Sequence, residues 1–92
     1  MTAAGGHWTL DVRPRAQRQL TRLPEKVATA VVEFILGPLL ENPRRVGHPL
    51  RDEYEGQHSA RRGAWRIRYR IDGDSHAIVV LDVSHRSDVY GV

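Results

Sequence analysis

Guanidinium groups at Arg61, Arg66 and Arg86, an imidazole at His85 and a phenol at Tyr90 are the groups of this chain best suited to chemistry. Groups of these types can break an RNA chain without a metal. A ribose 2′-OH attacks the adjacent phosphate, guanidinium groups neutralise the developing charge, and an imidazole or phenol moves the protons. Imidazole, with a pKa in water of about 6.5, is the natural proton carrier of the set. Other chemistries find less support. There is no carboxylate pair for glycosidase or two-metal work, no Ser-His-Asp order and no Gly-rich phosphate loop. The five histidines lack metal-ligand spacing, and neither a metal nor an organic cofactor is expected.

What must position these groups is a sheet. Trp65-Arg66-Ile67-Arg68-Tyr69-Arg70-Ile71-Asp72 alternates strictly between apolar and polar, the pattern of a strand with one face on a core and one in water. Residues two apart share a face and lie about 6.5–7 Å from each other. Arg66, Arg68 and Arg70 therefore form a row, while Trp65, Ile67, Tyr69 and Ile71 pack inward. Folding alone gives no reason to line up like charges, whereas a row of guanidinium groups suits a phosphate backbone. The competing reading is a solvated face whose arginines pair with nearby acids. Net charge is only +3, but residues 44–70 hold eight arginines against Asp52, Glu53 and Glu55, a local excess of +5.

A hairpin centred on Gly73-Asp74-Ser75 pairs residues whose numbers add to about 150. Arg68 then faces Asp82, its expected structural partner, and Arg66 faces Ser84, with no acid opposite. Arg61 on the preceding strand can point the same way, with Gln57 and Ser59 behind it. Arg62 and Arg51 complete the set of expected phosphate- or RNA-binding residues.

Along the chain, Trp8 to Arg13 reads as a first strand, and Pro14 opens a short helix with Ala16, Leu20 and Leu23 on one side. Pro24 opens a second helix with the stripe Val27, Val31, Phe34, Ile35, which Gly37-Pro38 should kink or stop. Asn42 to Gly56 shows no period and reads as a surface loop. Three strands follow: Gln57 to Arg61, the arginine-row strand, and Ala77 to Val83, which is apolar on both faces. The expected class is α+β: one N-terminal strand, two helices, then a three-stranded antiparallel meander with the helices on one face. Residues 1–7 read as a flexible tail and 8–92 as a single domain. Without cysteine the chain has no disulfide framework or thiolate site, and its apolar stretches fall short of the roughly 20 residues of a membrane span. A cytoplasmic location without membrane contact is expected.

The run Gly63-Ala64-Trp65-Arg66-Ile67-Arg68-Tyr69-Arg70-Ile71, followed by Val83-Ser84-His85-Arg86 and Val89-Tyr90, resembles the RelE/ParE superfamily of type II toxin–antitoxin toxins. The likeness extends from Trp8 to Tyr90 in element order and is most specific in the last three strands. It implies one of two activities. The RelE branch cleaves mRNA in the ribosomal A site; the ParE branch inhibits DNA gyrase and is not a nuclease. By position, Arg66 matches the arginine that holds the scissile phosphate, Arg86 the arginine proposed as phosphate ligand or acid, and Tyr90 the C-terminal tyrosine. Arg61 matches the basic residue closing the preceding strand. Gln57 and Ser59 stand where the family's prototype has lysines, one of them the proposed general base. That departure moves the base role to His85. The resemblance further implies a small, partly disordered antitoxin with an acidic tail, the ribosome and mRNA as partners, and operator DNA reached only through the antitoxin complex. A third possibility is an inactive toxin fold retained in an autorepressor complex.

Overall fold

Most of the long sequence patterns become the elements they announce. The computed structural model describes residues 8–88, so the 1–7 segment and Tyr90 lie outside the described residues. Strand β1 (Thr9–Val12) half-buries Leu10 and Val12 and exposes Thr9 and Asp11. Helix α1 (Pro14–Thr21) starts on a proline, whose missing N–H has no partner to lose in a first turn. Helix α2 (Glu25–Phe34) buries Val31, with Val27 and Phe34 packed against the same core. At Gly37-Pro38 the helix does not stop. It widens into a π-turn, Ile35–Leu39, and resumes through Glu41. The wider turn accommodates a residue with no N–H to give, and it keeps both Ile35 and Leu39 in the core.

The expected surface loop is a correction. Residues 42–56 contain a short third helix, α3 (Pro43–Val46), a two-residue strand, β2 (His48–Pro49), and a 3₁₀ turn, Asp52–Tyr54. Elements this short carry no period of their own, and tertiary contacts fix them. The Tyr69 hydroxyl donates to the Pro43 carbonyl from within the core. Gly47 passes so close that a Cβ there would sit 2.3 Å from the Tyr69 hydroxyl and 2.8 Å from the Ser59 carbonyl oxygen. The Leu50 N–H donates to the Gln57 carbonyl at 2.8 Å.

Strands β3 (Gln57–Arg62), β4 (Trp65–Asp72) and β5 (Ala77–His85) form the expected meander. It is not the whole sheet. The order is β1-β5-β4-β3-β2, with β1 parallel to β5 and β2 antiparallel to β3, so the α+β fold has three helices and a five-stranded mixed sheet. Gly63, at φ +63, lets two residues turn β3 into β4. At the other end of β4 the Asp72 carboxylate accepts the Asp74 and Ser75 N–H groups at 3.1 and 3.2 Å. Those bonds, led by Ser75, hold its carboxyl below the usual carboxylate range.

The β4–β5 register places Arg68 opposite Asp82 and Arg66 opposite Ser84, as the turn position predicts. A bulge after Arg68 then shifts the pairing by one, so that Tyr69 faces Val80. The core lies between one face of the sheet, with Ala60, Ile67, Tyr69, Ile78, Val80 and Val83, and Ala16, Val31, Ile35 and Leu39 of the helices. Each large apolar side chain buried this way stabilises by about 1.5–3 kcal/mol.

Candidate nucleic-acid cleft

Strand alternation and pairing put Ser59 and Arg61 of β3, Arg66 and Arg68 of β4, and Asp82 and Ser84 of β5 on the face opposite the core. A cleft of about 810 Å³ opens there. Arg66, Arg68, Ser59, Asp82 and Ser84 contribute from the sheet, Arg15, Gln19 and Arg22 from the α1 side, and Glu53 and Tyr54 from the 3₁₀ turn.

Arg61 stands directly across from Arg66. Like charges so placed cost a sheet a few tenths to about 1 kcal/mol. A phosphate placed between them would turn that repulsion into two charge-assisted contacts. Arg61 is exposed and Arg66 is half-buried.

Arg68 departs from its expected partner. Although it faces Asp82 in the register, the Asp82 carboxylate is taken from the helix: Arg15 Nε donates to Oδ1 at 2.9 Å and Gln19 Nε2 donates to it at 2.8 Å. The cause is where β1 ends. Its pairing with β5 stops at Val80, and α1 takes over the exposed edge beyond, where Gln19 Oε1 accepts the Val83 N–H at 2.7 Å. Arg68 turns the other way. Its Nη1 donates to Gln57 Oε1 at 2.7 Å, and its guanidinium lies 5.1 Å from the Tyr54 ring centroid. Gln57, expected to bind phosphate, is thus engaged with a neighbouring cation.

His85 is also a correction in position. It was expected after the strand, but β5 runs through it and pairs it with Trp65. It therefore projects to the face opposite Arg66 and Ser84, its ring edge-on to Trp65 at 5.0 Å and 83°. Its Nδ1 accepts the Ser87 N–H at 3.1 Å and lies 2.8 Å from the Ser87 hydroxyl. With Nδ1 accepting, the neutral ring carries its proton on Nε2. Arg86 opens a 3₁₀ turn, Arg86–Asp88, and its backbone N–H donates to the Ala64 carbonyl at 2.8 Å. This ties it beside the start of β4, at the same end of the sheet as Arg66. Arg62, paired with Trp65, is exposed at that end too, whereas exposed Arg51 precedes the 3₁₀ turn that forms one wall.

Of the residues singled out from sequence, Ser59 and Arg66 line the cleft itself. Arg61 stands across from Arg66, Arg86 is tied by its backbone to the same end of the sheet, and His85 lies around that end. Sequence reasoning missed Arg15, Gln19, Tyr54 and the engagement of Asp82. Arg15 and Gln19 are spaced i, i+4 and share a helix face, but nothing in the sequence links that face to a residue more than 60 positions away. Among the described residues no three His, Asp or Glu side chains come together as a metal site, and no helix is long and apolar enough to cross a membrane.

Comparison with known proteins fits this geometry. The family model for the ParE toxin of type II toxin–antitoxin systems matches residues 10–90. Toxin RelE of Mycobacterium tuberculosis is 53% identical over 75 residues, which are 82% of this chain and 77% of that protein. Toxin RelG of the same organism is 47% identical over 83 residues, 90% of this chain and 95% of the relative. Among solved structures, the toxin–antitoxin complex RelBE2 from Mycobacterium tuberculosis contains a chain that superposes with a TM-score of 0.82 at 47% identity, covering 86% of this chain and 98% of that one.

Proposed function

The chain belongs to the ParE toxin family of type II toxin–antitoxin systems and is a RelE-like toxin, and from that premise we propose that it is a ribosome-dependent mRNA endonuclease that stops translation. The opposition of Arg61 and Arg66 beside the cleft carries this reading. The scissile phosphate sits against Arg66, with Arg61 and Arg86 completing the cationic surround. The 2′-OH attacks that phosphate in line, and the 5′-oxygen leaves as a hydroxyl. Guanidinium groups stabilise the charge that accumulates on the phosphoryl oxygens, which is where fixed donors act most strongly. Tyr90 supplies the leaving oxygen with its proton, and His85, turned to the other face with Trp65, borders the site at the same end of the sheet. Arg51, Arg62, Ser59 and Gln57 border the path of the strand.

The partner that keeps such a protein harmless is an antitoxin with an acidic, partly disordered tail, which lays carboxylates and apolar side chains over Arg61, Arg66 and Arg86. The RelBE2 relative is itself a toxin–antitoxin complex. Folding of such a tail on contact buries a large surface at an entropic cost. Operator DNA is reached through the antitoxin.

A second reading is the gyrase inhibition that the likeness to the ParE branch implies, the matching family model being that of ParE toxins. RNA ends separate the two. Expression of the chain should produce mRNA fragments with 5′-hydroxyl and 2′,3′-cyclic or 3′-phosphate ends. DNA damage with intact mRNA would establish gyrase as the target, and 5′-phosphate ends would point to metal-activated water.

A further inference from the structure

We propose that Asp82 is the general base that takes the proton from the attacking 2′-OH. The inference rests on the nuclease reading above and completes it. Neither Gln57 nor Ser59 can accept a proton near neutral pH, and His85 lies on the opposite face of the sheet with its Nδ1 already accepting from Ser87. Asp82 is on the right face. It lines the cleft with Arg66, and the register sets it opposite Arg68, one step along the strand from Ser84, which faces Arg66. That is a diagonal cross-strand neighbour of Arg66, within about 7–8 Å between backbones, a separation that a carboxylate, a ribose and a phosphate can span.

The carboxylate is also prepared for the role. Its side chain is only 12% exposed, and two donors, Arg15 Nε and Gln19 Nε2, both bind Oδ1. Among the described residues Oδ2 has no hydrogen-bond partner, and it is not sealed off: the enclosed side-chain polar atom without a partner is His58 Nδ1. One oxygen is thus held by α1, while the other accepts from none of the described residues and belongs to a side chain that lines the cleft. In the reaction Oδ2 takes the proton of the 2′-OH as the 2′-oxygen bonds to phosphorus, and the bond to the 5′-oxygen breaks with a proton arriving from the opposite side. The carboxyl returns its proton to water once the cyclic phosphate has left. Arg15 and Gln19 act through Asp82 and are positioning residues.

The test compares cleavage of mRNA on programmed ribosomes by the full chain and by two variants. Asp82→Asn preserves the shape and an acceptor for the helix donors, and it should lose 10²- to 10⁴-fold in the cleavage step, the usual contribution of a general base. The loss should persist on a substrate whose 5′-oxygen at the scissile bond is replaced by sulfur, because a good leaving group does not relieve a missing base. Arg15→Ala/Gln19→Ala breaks the same anchor of α1 while keeping the carboxylate, and should lose far less activity for an equal or larger drop in melting temperature. Equal losses in the two variants would reduce Asp82 to an anchor and overturn the proposal, as would recovery of Asp82→Asn on the sulfur substrate, which would make it the acid. A wild-type chain that cleaves no mRNA would instead sink the nuclease reading itself.

Discussion

On one face of β4, Ile67 and Tyr69 are completely buried, and Tyr69 spends its hydroxyl on the Pro43 carbonyl. On the other face, one residue away at each step, Arg66 and Arg68 look into a cleft across from Arg61, Gln57 and Ser59. The first face is closed in the energetic sense: its apolar area is out of water and its polar atom has a partner. The second is left with like charges opposed, a condition that folding does not reward. The same eight residues thus serve two demands, and the period of two keeps them apart. Local violations of folding preference concentrate at functional sites, so substitutions on the two faces should separate stability from activity.

The sharpest separation is expected at Arg66. Replacing it by alanine removes a donor aimed at transition-state charge, typically about 2.7–4 kcal/mol or on the order of 10²–10³ in rate. The melting temperature should fall far less than activity does, because relief of the repulsion from Arg61 offsets part of what the side chain's own contacts contribute. Arg68→Ala should reverse the pattern. It forfeits the bond to Gln57 and the contact with Tyr54, about 1 kcal/mol or less, and retains most activity. Asp82 is not stranded by that change, since Arg15 and Gln19 hold it. Melting curves beside growth-arrest assays read both quantities. An inactive but stable Arg68→Ala alongside an active Arg66→Ala would exchange the roles of the two arginines.

How far the sequence reaches also differs between regions. Strand β4 was legible to the residue, and the turn at 73–75 carried enough information to pair Arg66 with Ser84 and Arg68 with Asp82. The bulge after Arg68 was not legible, because an inserted residue leaves an apolar strand apolar on both sides of it. It does not disturb the pairs next to the cleft, so the site register survived the omission. Asp82 shows the opposite failure: its register was right and its partner wrong. A cross-strand rule sees only the sheet, and the competing donors came from a helix that covers the edge β1 leaves open. His85 was misplaced because the strand carries on past its last apolar residue. Residues 42–56 were opaque because their elements are two to four residues long and are held in part by contacts with Tyr69, Ser59 and Gln57.

Gly47 tests how strongly that opaque segment depends on the closed face. Its φ of −107° is open to any residue, so an alanine there meets a packing problem alone. The added Cβ would overlap the Tyr69 hydroxyl and the Ser59 carbonyl. The hydroxyl belongs to a fully buried side chain and the carbonyl to a central strand, so neither yields easily. Gly47→Ala should destabilise by about 1–3 kcal/mol, the usual penalty for overpacking, by pushing α3 and β2 off the sheet. Denaturant titration measures this directly. Paired with Tyr69→Phe, which removes the nearer of the two obstacles, the penalty should shrink. An unchanged penalty in the double variant would assign the clash to the backbone of β3.

The smallest effect expected is on pH, and it separates the faces once more. His58 lies on the closed side, paired with Tyr69 in the ladder and stacked on its ring at 5.5 Å, with Nδ1 enclosed and without a partner. Burial first, then the charges of Arg44 and His48, hold its pKa below the ordinary 6.5. A folded pKa below the unfolded one means that the unfolded chain binds more protons in the interval between them. This contribution to stability is therefore fully present above pH 6.5 and is lost as pH falls through the depressed folded value. The Tyr69 hydroxyl, pushed up to about 12 chiefly by burial, stays protonated throughout and adds nothing to the slope. The melting temperature should decline from about pH 7 to about pH 5, and His58→Gln should flatten that decline while leaving the neutral-pH value close to its starting point. An unchanged acid slope in His58→Gln would show that His58 is not the source of the acid sensitivity.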